Sequence, residues 1–474
     1  MYLYNNKHFN NVLVSSLPGI LSIFLSFFSI PLFLNLLSAD YYANYLIQHF
    51  ILSLGMVLNL NLGKFASIKI QRSNIIKRKE IIFTTIVSNL VLGAVLSAIV
   101  YYIIYFFFND KSYFNVSISI FIGLLLTILY IGIEHIIKGL GYFRLCSITN
   151  FLFYSLSLSL PAFFLLIGNH NITFLNNLFN ISLGVKFFGL LCLLFFLIKK
   201  KELILTKISL RLFKEFRTHA KWMTITSFYN QIYDYLDKHI IKINLGSIML
   251  ITYAVPQQIA AKLTIFSHAI IAVILPKISL QKNDKQRKKI LSANLYLFFV
   301  LTSLVLIVLL PFYDSILNWW LKSSYNLDIL KLFKIFILLT FLSCLSNIIV
   351  AFYEATLVSK KNTIYETISI LPFCIGLAIC LYYQNIFLFA FLLLFKEFIM
   401  LYVRISNVRE FIIDYRYLNI KILLFVATFI LSFFEYYQYA YLSGVFFVLI
   451  IFLKLPIKTI KKEFSNYKIK SNAN

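Results

Sequence analysis

Charged and amide side chains gather on one face of a single apolar segment, over residues 219–244. At 100° per residue, seven polar residues fall within about 140° of arc, with apolar residues on the opposite side. A helix at membrane depth does not turn such a face to lipid, because each central charge costs about 2.5–3.5 kcal/mol there. The face therefore looks into the protein interior or a water-filled cavity. The seven residues are Ser227, Asn230, Gln231, Asp234, Asp237, Lys238 and Lys242.

Two further lysines are predicted at membrane depth. Lys186 lies near the middle of the sixth predicted helix, and Lys262 lies about halfway along the eighth. Lysines that face a water-filled space attract anions, and they predict a cationic cavity that binds an anionic substrate. The predicted substrate-binding residues are Lys186, Asn230, Asp234, Asp237, Lys238 and Lys262.

Ion pairing inside the helix bundle is the alternative interpretation of these charges. Asp234 and Lys238 are four residues apart, so their side chains could pair along one helix. Lys242 could instead extend its ammonium to the outer membrane surface.

Five other ionisable residues are candidates for coupling transport to an ion gradient. Glu134 lies low in the fourth predicted helix, Glu354 low in the tenth, and Glu366 at the inner mouth of the eleventh. Lys396 and Glu397 lie in the middle of the twelfth. Ionisable groups inside membranes often serve proton relays, whereas side chains near helix ends often make surface contacts.

The short motifs of soluble enzymes are absent from the sequence. It contains no GxxxxGK[ST], GxSxG, HExxH or CxxC, and its seven histidines lack metal-ligand spacing. The longest predicted outer loop, over residues 313–328, is too short to house a catalytic domain. The sequence therefore predicts a protein that is not an enzyme, with no cofactor and no metal site.

The elements that carry these residues are predicted to be membrane helices. Of 474 residues, 60% are hydrophobic and 13% charged, which is typical of a polytopic, all-α integral membrane protein. We predict about fourteen helices (twelve to fourteen). They cover residues 11–37, 42–63, 81–108, 116–138, 147–168, 178–198, 219–244, 248–276, 290–312, 329–357, 364–383, 385–405, 419–435 and 439–455.

The net charge of +26 follows the predicted topology. Most of the 44 basic residues lie in segments on one side, whereas the outer loops hold only Lys111 and Lys322. By the positive-inside rule, the N- and C-termini are cytoplasmic. The charge therefore reflects orientation, and nucleic-acid binding is not needed to explain it.

An internal repeat at an offset of 209 predicts two parallel halves. It relates Ser38, Asn74, Arg78, Lys79 and Ile81 to Ser247, Asn283, Arg287, Lys288 and Ile290. One face of the segment that joins the two halves is apolar, which predicts an amphipathic helix on the inner leaflet. The residues of this face are Leu205, Ile208, Leu212 and Phe216. The predicted units are a six-helix bundle over 1–198, a linker over 199–218, a second bundle over 219–405, and two extra helices with a basic tail over 406–474.

The opening segment, residues 10–47, resembles the start of bacterial polysaccharide flippases of the Wzx type. In that family a Pro-containing first helix leads to a Leu-(Gly/Ser)-x-x-x-Tyr turn, here Leu37, Ser38 and Tyr42. The stretch YLDKHII, followed by LG and YAVP, is similar to the Leu-Asp-Lys/Arg region of the family's second half. The resemblance covers the first twelve helices, and its motifs match only Asp237 and Lys238 among the candidate site residues.

The resemblance implies a MOP-superfamily fold of two six-helix bundles that face each other across a central cavity. It also implies alternating access and a substrate of undecaprenyl-pyrophosphate-linked oligosaccharide, which moves between leaflets of the bacterial inner membrane. A polysaccharide polymerase and a chain-length regulator are the protein partners it suggests.

Other membrane proteins remain as alternatives. A MATE-like multidrug or cation exporter would use a carboxylate-led cavity, whereas the deep residues here are rich in lysine. A lipid II flippase would carry arginine in its first helix, and a major-facilitator transporter would carry GxxxDRxGRR after its second. From a different class, an O-antigen polymerase or membrane glycosyltransferase would carry a long outer loop.

Overall fold

The computed structural model describes residues 6–71, 73–108, 118–166, 172–204, 206–281, 283–356, 358–412 and 415–433. Every regular element in this part of the chain is a helix, as the sequence predicts. The helices of the first half are α1 (Asn6–Leu36), α2 (Ala39–Ser53), α3 (Gly55–Leu58), α4 (Leu62–Ile70), α5 (Ile75–Phe108), α6 (Ile118–Gly139), α7 (Phe143–Asn150), α8 (Ser157–Phe164) and α9 (Ile172–Lys199).

The second half has the same kind of architecture. Its first helix, α10, is broken at Gly246, whose φ of 87° and ψ of 176° reverse the chain between two membrane passes. The helices are α10 (Leu210–Ala261), α11 (Thr264–Leu280), α12 (Asp284–Leu309), α13 (Tyr313–Leu321), α14 (Leu327–Ala355), α15 (Ser359–Tyr383), α16 (Ile386–Asn407) and α17 (Tyr415–Phe433).

Nine helical segments among the described residues are long and apolar enough to cross a membrane. There are ten if α2–α3 and α4, which bend by 46° at a short break, form one span. The segment from Lys221 to His268 has 48 residues. At ~1.5 Å per residue this length is about twice the ~30 Å of hydrocarbon, so Gly246 divides it into two passes. The chain is therefore a multi-pass membrane protein.

Each of the first thirteen predicted helices overlaps a described helix, although the predicted total of fourteen is not confirmed. The fourteenth predicted helix, over 439–455, and the basic tail lie outside the described residues. The predicted outer loop over 313–328 contains α13.

One central helix organises each half. In the first half α6 packs against α4, α5 and α9, and in the second half α14 packs against α10, α11 and α16. These two helices begin 209 residues apart. In the most apolar stretch of each, 72% of residues are buried in α6 and 78% in α14.

Two asparagines at the same offset begin equivalent helices. The Asn74 side chain accepts a hydrogen bond at 3.0 Å from the backbone N–H of Lys77, in the first turn of α5. The Asn283 side chain accepts one from the Lys285 N–H at 2.9 Å, at the start of α12. Both contacts satisfy N–H groups that a helix start leaves without partners.

The joint between the halves differs from the predicted amphipathic helix. Residues 200–209 form no described helix, and α10 begins only at Leu210. Phe216 is buried against Phe65 of α4, with the ring centroids 5.1 Å apart and edge to face. Phe216 and Leu212 therefore pack on the first half, because α4 offers them a protein surface in place of the lipid that the prediction assumed, whereas Ile208 is exposed.

Candidate functional site

The two halves meet along a seam, which we define as the contact of α1 and α2–α4 with α10, α11 and the last turn of α14. We name the two ends of the bundle by their residues: the basic end lies near Lys77 and Lys288, and the outer end lies near Ser38. The polar face of α10 points into this seam. Its hydrogen bonds across the seam are Lys242 to Asn44, Ser53 to Gln231 at 3.1 Å, and Asn61 to Ser227 at 3.0 Å.

The outer part of the seam carries a second contact through aromatic residues. The indole N–H of Trp320, in α13, donates to the Phe27 carbonyl at 2.5 Å. The two rings also stack with centroids 5.1 Å apart. The short helix α13 therefore holds α1 against the second half.

Lys262 reaches across the middle of the seam. Its ammonium donates to the Ser22 hydroxyl of α1 at 3.1 Å. No carboxylate forms an ion pair with Lys262 among the residues that the structure describes. Lys262 is therefore held by a neutral hydroxyl, and the cationic cavity stays a prediction.

Lys186 lies inside the first half. It is 5% exposed, and its ammonium sits 5.1 Å from the centroid of the Phe153 ring. No acidic side chain within the described ranges pairs with it. The His49 ring is close enough to interact electrostatically with Lys186, and it contacts the Ser182 hydroxyl at 3.1 Å. Among the described residues, the buried Lys186 ammonium thus contacts the Phe153 ring and interacts with the His49 ring.

A small cleft, with room for about one water molecule, is lined by residues that neighbour the contacts of both lysines. Ser26 and Gln258 in its wall lie one helical turn from Ser22 and Lys262. Tyr45 in the same wall packs against His49, with ring centroids 4.3 Å apart and planes tilted by 46°. The cleft is lined by Ser26, Ser29, Ile30, Phe33, Tyr42, Tyr45, Leu46, Leu158 and Gln258.

Asp237 and Lys238 pair with each other but differ in their other contacts. Asp237 is 1% exposed and accepts hydrogen bonds from the Tyr253 hydroxyl at 2.6 Å and the Lys238 backbone N–H at 2.7 Å. It therefore lies within the second half and away from the seam. The Lys238 ammonium is 3.5 Å from the Asp237 carboxylate and 5.1 Å from the centroid of Phe50 in α2. Lys238 thus contributes to the seam.

The remaining two predicted cavity residues are less informative. Asn230 is exposed, and no hydrogen bond brings it to the described part of the seam. The side chain of Asp234 lies outside the described residues, so its pairing with Lys238 stays a prediction.

Three coupling candidates meet in one ion network inside the second half. Glu366, 0% exposed, pairs with Arg404 and lies 3.7 Å from Lys396. Glu397 lies 3.4 Å from Lys396 and 3.5 Å from Arg404. The Lys396 ammonium sits 3.8 Å from the centroid of the Tyr233 ring in α10. Two carboxylates and two cations thus balance one another.

Arg404 is the member of this network that the sequence interpretation missed. Its position at the end of the twelfth predicted helix, 385–405, gives no sign of burial, but the structure leaves it 3% exposed. Its guanidinium also donates to Ser346 and, at 2.9 Å, to Asn362. The signal in the sequence was its spacing of seven residues from Glu397, which places both on one helical face.

The other two coupling candidates lie near the basic end. Glu134 pairs with Lys138 on its own helix and accepts from Asn150 at 2.6 Å, so its contacts stay within the first half. Glu354 instead pairs across the seam with Lys64 of α4, at 2.5 Å.

The ion pair between Lys69 and Glu215 is more exposed than the pair between Lys64 and Glu354. The ammonium of Lys69 in α4 is 2.7 Å from the carboxylate of Glu215, before α10 enters the membrane. The hydrogen bond from Lys69 holds the pKa of Glu215 below its usual value.

Comparison with known proteins shows the fold. No family model matches the chain. A Shigella flexneri protein that carries the provisional name of O-antigen transporter is 23% identical over 161 residues, which is 34% of this chain and 38% of that protein. The match therefore spans well under half of that relative's length.

Two solved structures are similar over most of the chain. One is an outward-facing multidrug resistance MATE family transporter of the MOP superfamily, with 12% identity, a TM-score of 0.65 and coverage of 84% of this chain and 94% of that one. The other is a MOP superfamily transporter from Pyrococcus furiosus, described as having a binding pocket of reverse polarity. It has 12% identity, a TM-score of 0.65 and coverage of 84% of this chain and 95% of that one. The fold that the sequence resemblance implied is confirmed.

Proposed function

We propose that this chain, which has the fold of the MOP-superfamily transporters, is a flippase for lipid-linked oligosaccharides. Its substrate in this proposal is an undecaprenyl-pyrophosphate-linked unit of O-antigen or capsule. The chain moves the unit from the inner to the outer leaflet of the bacterial inner membrane. The provisional name of the Shigella flexneri relative supports this substrate class.

The pair Lys186 and Lys262 is the observation that carries the proposal. Both ammonium groups lie at membrane depth with no carboxylate partner among the described residues. A pyrophosphate cannot enter ~30 Å of hydrocarbon without fixed positive partners. Lysine ammonium groups supply strong, charge-assisted hydrogen bonds to phosphate oxygens. Lys238, positioned by Asp237, adds a third cation at the seam.

The cleft has room for only about one water molecule in this structure, so the sugar part of such a substrate would contact its lining after the halves separate. Its wall presents the Ser26 and Ser29 hydroxyls, the Gln258 amide and tyrosine rings. Hydroxyls and amides both donate and accept hydrogen bonds, and aromatic rings pack against apolar surfaces. In this account the lipid tail stays in the bilayer while the polar head crosses along the seam.

Charge pairing argues against a cation exporter. Every membrane carboxylate whose side chain the structure describes has a cation beside it, as Glu134, Asp237, Glu354, Glu366 and Glu397 each do. A site for a cationic drug needs a carboxylate without such a partner. The reverse pocket polarity described for the Pyrococcus furiosus transporter is a precedent for a change of charge preference on this fold.

The mechanism that we infer is alternating access. Rocking of the two halves about the seam opens the lysine site to each side in turn. The termini are cytoplasmic in this proposal, and a polymerase and chain-length regulator act on the delivered units. Glu354, at the seam, is the coupling candidate best placed to respond to this motion, whereas Glu366, Glu397 and Lys396 stabilise the second half.

A deletion strain of the source bacterium tests the proposal. We expect loss of surface polysaccharide, with complete lipid-linked units protected from a membrane-impermeant sugar-modifying reagent. Wild-type chain restores polymer, and Lys262→Ala and Lys186→Ala do not, although both reach the membrane at normal level. Lys77→Ala, which removes an exposed lysine at the basic end, is the matched control and restores polymer. Full complementation by both cavity variants would contradict the lysine site.

A further inference from the structure

The cross-seam ion pair Lys64–Glu354 is the starting observation. It is 2.5 Å long, with side-chain exposures of 25% for Lys64 and 10% for Glu354. Lys64 belongs to the first half and Glu354 to the last turn of α14, the central helix of the second half. The pair therefore joins two bodies, and any opening at the basic end must break it.

Lys64 is fixed rigidly to the first half. The backbone of α4 packs directly on α6, so that a Cβ added at Gly63 would lie 2.7 Å from the Gly132 carbonyl oxygen. Gly139 approaches the Ser67 Cα as closely, at 2.8 Å from an added Cβ. Close glycine packing of this kind locks helices together in membranes. When the halves separate, Lys64 consequently stays at the edge of the opened cleft.

The surroundings of Lys64 leave it one carboxylate partner. Glu134 is the other nearby acid, and it pairs with Lys138 and Asn150 inside the first half. His135 and His268 also lie within electrostatic range of Lys64, and they carry no negative charge. Among the described residues, therefore, only Glu354 forms an ion pair with Lys64.

We propose that Lys64 and Glu354 form a latch at the basic end, which an anion opens when it displaces Glu354 from Lys64. In the closed state Glu354 neutralises Lys64. A diphosphate that arrives from this side competes with Glu354 for the Lys64 ammonium, and binding of the diphosphate stabilises the open cleft. Lys64 is then the first capture site for the substrate's anionic group, ahead of Lys262 and Lys186. This inference rests on the proposed function for its physiological ligand.

Thiol accessibility measures opening of the latch. Ser227 lies on the seam, where its hydroxyl accepts from Asn61. We would introduce Ser227→Cys into full-length protein whose five native cysteines are replaced, and follow its reaction with a polar maleimide. Glu354→Gln and Lys64→Gln each speed labelling about threefold to tenfold, because a partly buried ion pair contributes about that much to closure. The charge exchange of Lys64→Glu with Glu354→Lys restores slow labelling.

A second ion pair supplies the matched control. Arg78 and Glu202 are also 2.5 Å apart, with nearly the same exposures of 27% and 12%, but both belong to the first half and its linker. Glu202→Gln removes a similar charge without touching the seam, and its labelling rate stays at the wild-type value. Equal acceleration by Glu202→Gln and Glu354→Gln would overturn the latch.

Inorganic pyrophosphate and farnesyl pyrophosphate test the anion exchange. Each is expected to speed labelling of the wild-type latch in a saturable manner, and to have no effect in Lys64→Gln. A response to farnesyl pyrophosphate alone would assign the site to a lipid-attached diphosphate, whereas equal responses would assign it to the diphosphate group. Farnesol and sulfate at matched ionic strength are the controls. An undiminished pyrophosphate response in Lys64→Gln would overturn the capture site.

These outcomes are separable from the proposed function. Labelling needs no lipid-linked oligosaccharide, so the latch is tested even if the chain carries another substrate. A working latch together with normal surface polysaccharide in the deletion strain would contradict the flippase proposal alone.

Discussion

Buried charges occur in two settings in this molecule, and their pairing differs. In the second half, Glu366, Glu397, Lys396 and Arg404 form a closed network of equal opposite charge. In the first half the buried Lys186 rests on a ring, and at the seam the half-buried Lys262 rests on a hydroxyl, with no carboxylate partner for either among the described residues. A network of balanced charges stabilises its surroundings, whereas a cation without an anionic partner in a water-poor site is costly until an anion arrives. We therefore expect Lys186 and Lys262, and not the network, to bind an anionic ligand.

The largest loss of stability is expected when one carboxylate of the network is neutralised. Glu366→Gln leaves the Arg404 guanidinium with less negative charge in a buried site, and we expect a loss of about 3–5 kcal/mol in the free energy of unfolding. The measurement is the thermal unfolding midpoint of purified protein, together with its level in the membrane. Adding Arg404→Gln should recover part of this loss, because the charges then balance better. An unchanged midpoint for Glu366→Gln would remove the contrast between the two settings.

A smaller loss is expected where one charged hydrogen bond is removed. Tyr253→Phe deletes the hydroxyl that donates to Asp237 at 2.6 Å. Hydrogen bonds to charged groups contribute about 1.5–3 kcal/mol, so the unfolding midpoint should fall while transport by the folded fraction persists. Transport per folded molecule is the decisive measurement. Its loss at normal stability would give Asp237 a direct role in binding the substrate.

Removing an unpaired lysine should act in the opposite direction on stability. Lys186→Met replaces a buried ammonium by an apolar group of similar length, so stability should stay equal or rise by about 1 kcal/mol. Transport should nevertheless be lost. Thermal unfolding and polysaccharide complementation measured on the same variant check both parts. A destabilised Lys186→Met would show that Lys186 has a structural partner and belongs with the paired charges.

The smallest effect is expected at the exposed pair of Lys69 and Glu215. Glu215→Gln should cost about 0.2–1 kcal/mol. Because Lys69 lowers the pKa of Glu215, the contribution is complete above the ordinary carboxyl pKa and disappears as the pH falls through the lowered value. Unfolding midpoints of wild type and variant should therefore converge in acid. A difference that persists there would contradict an ionic origin.

Sequence patterns were sufficient for the membrane class and the helical fold, while the membrane depth of Lys186 and Lys262 stays a prediction. Apolar runs and the polar face of α10 contain this information, since lipid excludes charge. The partners of the charges could not be read from the pattern, because pairing depends on how distant helices pack. Asp237 shares a helical face with Lys238 yet turns to Tyr253, and Arg404 looked like a surface residue although it is buried. The Lys64–Glu354 contact joins residues 290 positions apart.

Ligand binding to purified full-length protein tests the central claim most directly. The titration compares farnesyl pyrophosphate binding by wild type, by Lys186→Met with Lys262→Met, and by Lys77→Met as the control for charge. Two charge-assisted contacts are removed in the double variant, so its affinity should fall at least about tenfold, while the Lys77 variant binds as wild type does. Wild-type affinity in the double variant would contradict the account, because the two unpaired lysines would then not be the anion site.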